Sequence, residues 1–169
     1  MTKSAPLILT LALDERSFAF LDQQRRRYFP PERNFIPAHL TLFHQLPGER
    51  VAAIQDFLEQ TSREQARFAL SVTGLRSLGR GVAYMLDAPE LTGFRSTLAR
   101  EWGSWLTAQD RQKHQPHVTI QNNVDPKDAR DLLLRLSAEF VPFEATGIGV
   151  DLWWYRGGPW EKVARSAFR

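Results

Sequence analysis

One pattern occurs twice in this chain and limits its fold more than any other feature. It is His-apolar-Thr-apolar, at His39-Leu40-Thr41-Leu42 and at His117-Val118-Thr119-Ile120. On a β-strand, successive side chains point to opposite faces. Each tetrapeptide therefore presents His and Thr on one face and its two apolar residues on the other. The apolar pairs can enter a core, and the imidazoles and hydroxyls are left facing a groove.

The flanking sequence repeats as well. Leu7 to Leu13 is an apolar run that reads as a buried strand. Asp14 caps a helix to about Tyr28, ended by Pro30-Pro31. His39 to Leu46 is a strand closed by Pro47-Gly48, and Val51 to about Arg63 is an amphipathic helix with Ala53, Ile54, Phe57 and Leu58 on one stripe. Phe68 to Val72 is a third strand, ending near Gly74. The second half gives a strand at Val82–Leu86, a helix over Leu91–Leu106 and a strand at His117–Val124. A helix capped by Asp125 with Pro126 at its first position follows, then a long strand from Phe143 to about Tyr155. Val163–Phe168 adds a last strand.

The order β-α-β-α-β thus occurs twice, over about residues 7–75 and 81–157. Histidine strands, following helices and third strands are offset by 78, 75 and 75 residues. The expected fold class is α+β. Two antiparallel sheets face each other around a central cleft, with helices outside, in one bilobal domain covering residues 1–169. A pseudo-two-fold axis would then bring His39 and His117 to one point.

That arrangement suits a phosphodiester. A neutral imidazole takes a proton from an attacking hydroxyl or water, and a protonated one gives a proton to the leaving oxygen. Thr41 and Thr119 can donate to the non-bridging oxygens as charge builds there. No cofactor and no metal is called for. His114-Gln115-Pro116-His117 has a zinc-like spacing, but Pro116 forbids the helix that would join the two rings. The chain contains no cysteine, which removes disulfides and thiolate chemistry. The net charge of +3 is too modest to indicate nucleic-acid binding by itself. Its cations are nearly all arginine, which suits a phosphate ligand and is equally the mark of arginine-rich codon usage. Residues 1–6 lack a secretory pattern and no apolar run spans a bilayer, so a cytoplasmic monomer without membrane contact is expected.

The paired motifs, their spacing and the stretch Ile36-Pro37-Ala38-His39-Leu40-Thr41-Leu42-Phe43 resemble the two-histidine phosphoesterase superfamily, in particular its bacterial 2′-5′ RNA ligase-like branch. The resemblance covers essentially the whole chain. It implies metal-independent action on a 2′,3′-cyclic phosphate or a 2′-5′ phosphodiester of RNA or nucleotides. His39 and His117 become the catalytic pair, and Thr41 and Thr119 the phosphate binders. Members of that branch often carry a basic residue shortly after the second motif, where this chain has Gln121-Asn122-Asn123. The alternative function is a module that binds RNA or nucleotide with little turnover.

Further candidates follow from strand parity and charge. Phe43 and Gln121 continue the groove-facing alternation, where they would stack on or hydrogen-bond to a base; packing at the groove edge is the other reading of Phe43. Tyr84 either lines the cleft or is a core tyrosine. Arg27, in the run Arg25-Arg26-Arg27, and Arg33 could guide a polyanion, or simply suit the dipole at a helix end. His44 has the wrong parity for the cleft and reads as structural, and His114 is left outside the site. Trp153-Trp154-Tyr155-Arg156 is an aromatic strand that chiefly covers the core.

Overall fold

Among the described residues, seven strands and five α-helices follow one another with little loop between them. The computed structural model describes residues 4–169. Residues 1–3, on which the leader reading partly rests, lie outside the described residues. The first half consists of β1 (Leu7–Leu13), α1 (Glu15–Tyr28), β2 (Leu40–Leu46), α2 (Val51–Glu64) and β3 (Phe68–Ser77). The second comprises β4 (Val82–Asp87), α3 (Pro89–Trp102), the single-turn α4 (Ala108–Arg111), β5 (His117–Gln121), α5 (Pro126–Glu139) and β6 (Phe143–Trp154), after which comes β7 (Glu161–Ala167). No helix is long and apolar enough to cross a membrane among the described residues.

The caps form as the sequence requires. An Asp14 carboxylate oxygen accepts from Ser17 N (3.1 Å) at the start of α1, and the other accepts from Thr146 N (2.8 Å) on β6. Asp125 accepts from Lys127 N (2.9 Å), with Pro126 at the first position of α5. Helix α3 begins two residues earlier than its apolar pattern indicates, because Pro89 starts it, and it gives way to a 3₁₀ turn at Gly103.

All pairings are antiparallel. The strand order is β2-β1-β6-β3-β4-β5, with β7 added to β6. This order reads the same from either end once each strand is replaced by its counterpart in the other half. The duplication is therefore written into the hydrogen bonding, and each half contributes its third strand to the other half's sheet. The two expected sheets are continuous, because Phe143–Gly147 of β6 pairs with β3 while its later part pairs with β1 and β7. Helices α1, α2 and α5 pack on β5, β7 and β3 respectively. Leu9, Leu42, Leu70, Trp102 and Val118 are among the fully buried core residues.

The chain departs from simple alternation in two places that matter for the cleft. Leu9 pairs with Phe43, whereas Thr10 pairs with Thr41, so Leu42 is an extra residue in β2. Likewise Val82 pairs with Gln121 and Ala83 with Thr119, which makes Ile120 extra in β5. Both bulges lie immediately after the motif threonine. A bulge resets which face the next side chain takes. Strand β3 also runs past Gly74 to Ser77, three residues beyond its expected end, because it is paired there with β4.

Candidate active site

The strands β2 and β5 end the pairing order, yet they lie beside one another without pairing. The sheet curls until its two edges nearly meet, and each edge carries one motif. His39 directly precedes β2 and His117 opens β5. The rings are close enough for His117 to act electrostatically on His39.

The two histidines are held identically. His39 Nδ1 lies 3.0 Å from the Pro37 carbonyl oxygen, and His117 Nδ1 lies 2.9 Å from that of Gln115. A carbonyl can only accept, so Nδ1 carries the hydrogen in both rings. In the neutral ring that leaves Nε2 as the free lone pair. A prolyl ring in each Pro37-Ala38-His39 and Gln115-Pro116-His117 segment restricts the backbone that positions this carbonyl.

Their surroundings differ. Trp160, in the β6–β7 loop, packs on the His39 ring at 4.7 Å between centroids. A left-handed glycine, Gly157 at φ 92°, helps turn this loop back over the sheet. Burial, with smaller contributions from the charges of Arg25, His117 and His44 and against a raising hydrogen bond to Pro37, brings the His39 pKa down to about 4. Beside His39 opens a cavity of ≈ 530 Å³ lined by Thr10, Trp153, Trp160, Lys162 and Arg165 among others. Register explains this lining. Thr41, Thr10, Asp151 and Arg165 lie directly across from one another on β2, β1, β6 and β7, so they share a face. Arg165 grips both Asp151 oxygens (2.7 and 2.9 Å), and Lys162 lies 3.6 Å from the same carboxylate. The Trp153 indole N–H donates to Thr10 Oγ1 (2.9 Å).

Across the cleft, the equivalent row is Thr119, Ala83 and Arg76 on β5, β4 and β3. Arg76 stands at the position corresponding to Asp151, 75 residues earlier. Its guanidinium donates to the side chain of Gln115, the residue whose carbonyl holds His117.

The remaining sequence candidates stand apart from the histidines. Phe43 has no exposed surface and packs against Trp102 (5.4 Å) and under Arg95, so it cannot stack on a base. Gln121 is buried near Tyr28 and α5. The bulges are the reason in both cases, since each turns the residue after it away from the cleft. Tyr84 pairs with Val118, an apolar residue of the motif, and not with His117 or Thr119, and so takes the helix-covered face, where its hydroxyl donates to Gln24 (3.0 Å). Arg27 shares a second groove of ≈ 800 Å³ with Tyr84 on that helix side. Arg33 is exposed and reaches the Asn123 carbonyl (3.4 Å) in the turn after β5. Trp160, Arg165, Lys162 and Arg76 do not stand out in the sequence as site residues. The first three belong to a loop and a strand outside the repeat, and Arg76 falls where a linker is expected. Only the spacing of β7 against Trp153 could have hinted at them.

The sequence pattern of the 2′-5′ RNA ligase superfamily matches residues 13–159. The chain belongs to this superfamily. Membership makes its activity one of phosphoester chemistry. The fold is similar to that of TT0787 of Thermus thermophilus, with TM-score 0.63, 18% identity and coverage of 97% of this chain and 98% of that one. It is also similar to E. coli LigT complexed with 3′-AMP, with TM-score 0.63, 18% identity and coverage of 98% and 99%. A crystal structure described as a phosphoesterase aligns at TM-score 0.61 and 19% identity over 98% and 99% of the two chains. No curated protein sequence matches the chain significantly.

Proposed function

We propose that this superfamily member cleaves 2′,3′-cyclic phosphates or 2′-5′ phosphodiesters of RNA or nucleotides, with His39 and His117 as an acid–base pair and Thr41 and Thr119 holding the phosphate. One observation carries this reading. The two histidines have the same Nδ1–H to carbonyl bond, two residues back, at pseudo-equivalent places on facing strand edges. That geometry fixes the tautomer each needs and leaves both Nε2 atoms free for proton transfer.

The difference in surroundings supports a division of roles. Kept unprotonated by burial, His39 is the general base. With a cyclic phosphate, its Nε2 takes a proton from water as the oxygen attacks phosphorus. The bond from phosphorus to one ribose oxygen breaks, and His117 Nε2 gives that oxygen its proton. A nucleoside monophosphate leaves, and the two rings regain their starting protonation through solvent. Thr41 and Thr119 hydroxyls donate to the non-bridging oxygens. The recess beside His39, with Trp153 and Trp160 as flat apolar walls and Lys162 and Arg165 as cations, fits the nucleoside part of a substrate. Nucleotide complexes of LigT with 3′-AMP and ATP belong to proteins of this fold and agree with that class of ligand.

The test is a panel of 2′,3′-cyclic nucleotides and of 2′-5′ and 3′-5′ dinucleotides, assayed in EDTA with wild type and the double variant His39→Ala/His117→Ala. Turnover of at least one member by wild type and none by the double variant is expected. Equal turnover by both would sink the acid–base assignment. Tight, salt-sensitive binding without turnover would favour a binding module instead.

A further inference from the structure

Two strand edges that come together but do not pair leave carbonyls that must find other donors. On β2, the Thr41 carbonyl accepts from His114 Nε2 (2.9 Å). On β5, the Thr119 carbonyl accepts from Arg25 Nη1 (3.0 Å). Each carbonyl belongs to the motif threonine of one half, and each donor comes from the other half. Had the edges paired with each other, the sheet would have closed and no cleft would remain. We propose that Arg25 and His114 are a reciprocal pair of positioning residues that hold the two histidine strands at the separation one phosphate requires. The proposal rests on the acid–base reading for its catalytic consequence.

Both donors are fixed for the task. Arg25 is 4% exposed, lies over the Phe29 ring at 4.0 Å and directs its Nε to Asn34 Oδ1 (2.9 Å). Only one end of its guanidinium is left for Thr119. His114 sits three residues before His117, so its ring ties the second motif's own approach segment to the first motif's backbone. Arg95 secures the next β2 carbonyl, Leu42, at 2.8 Å, and Asp110 accepts from His44 N (2.8 Å) and Gln45 N (2.9 Å) further along. The free edge of β2 is thus occupied by side chains from Thr41 to Gln45. Neither Arg25 nor His114 needs to touch substrate. A displacement of about 1 Å between two acid–base groups is enough to cost on the order of 10²-fold in rate.

The variants His114→Leu and Arg25→Met remove one donor each, and His114→Gln retains an amide donor near the position of Nε2. With 2′,3′-cyclic AMP as probe, each loss variant should lower kcat roughly 10- to 100-fold with KM changed less than about threefold. The double variant should be little worse than the poorer single, because one broken brace already frees the strands. His114→Gln should restore kcat to within about threefold of wild type. The absence of cysteine in the chain permits a second readout. Spin labels at Gln45→Cys and Asn122→Cys report the distance across the two edges, which should broaden in the loss variants while the melting curve stays cooperative. An unchanged distance distribution, or unchanged kcat in both loss variants, overturns the brace. Broadening in the loss variants, beside a wild-type chain that turns over nothing, would keep the brace and overturn the enzymatic reading.

Discussion

The two sides of the cleft have the same skeleton and different company. On either side a histidine donates Nδ1–H to the carbonyl two residues back, a threonine follows at the same spacing, and a bulge ends the alternation. The His39 side then receives β7 and its loop, which no element of the other half matches. That added segment supplies Trp160, Lys162 and Arg165 to the lining of the recess and packs Trp160 on the His39 ring. The His117 side has Arg76 at the place where its counterpart has the Asp151–Arg165 pair. Duplication creates two interchangeable groups. The segment outside the repeat makes their surroundings unequal, and under the proposed acid–base reading that difference favours His39 as the base and His117 as the acid.

The largest expected effect tests what is shared. If both histidines transfer protons, His39→Ala and His117→Ala should each lower kcat/KM by about 10³- to 10⁴-fold, and the double variant should lose scarcely more than either. Steady-state rates with correction for folded fraction check this. Retention of a tenth of the activity by either single variant would break the symmetry at its root.

Next comes the difference between the sides, visible as a pH profile. A base acts only when unprotonated. With His39 lowered to about 4, the acid limb of kcat/KM should fall only as pH drops through about 4. Desolvation is the largest cause of that lowering, and Trp160 is the ring packed on His39. Trp160→Ala should therefore move the acid limb upward, toward the ordinary histidine value of about 6.5, and reduce kcat/KM at pH 5 by on the order of tenfold. An acid limb that does not move when Trp160 is removed would mean that His39 is dried by something other than the added loop, or is not the base.

How much of this could be seen beforehand depended on whether the cause was local. The motifs, caps and apolar runs are local, and they locate the strands and helices of the repeat to within a few residues. His39, His117, Thr41 and Thr119 precede the bulges, so plain alternation describes them. Phe43 and Gln121 were misplaced because a bulge is set by the partner strand's register, which their own alternation does not record. Tyr84 was ambiguous until its partner, Val118, was known. The bracing role proposed for Arg25 and His114 is not legible in the sequence, because their partners are backbone carbonyls 94 and 73 residues away, and a carbonyl leaves no trace there. The exchange of third strands between halves is hidden likewise, since the repeat predicts both arrangements equally.

The smallest expected effect sharpens the contrast at the outer wall of the recess. Lys162 reaches Asp151 at 3.6 Å and lies over the Trp153 ring at 5.0 Å, yet it remains partly exposed. Arg165 already satisfies the carboxylate with two bonds, so Lys162 is the cation with donors to spare for a ligand. Lys162→Met keeps the aliphatic stem against the indole and removes only the charge. If the nucleoside part sits on this side, KM should rise about three- to tenfold with kcat nearly unchanged, and the increase should shrink as salt is added. Arg76→Met, on the opposite wall, should leave the KM for a mononucleotide closer to wild type, because a single nucleoside placed beside His39 does not extend there. The reverse ranking of the two variants would put the nucleoside on the His117 side and exchange the roles of the two histidines.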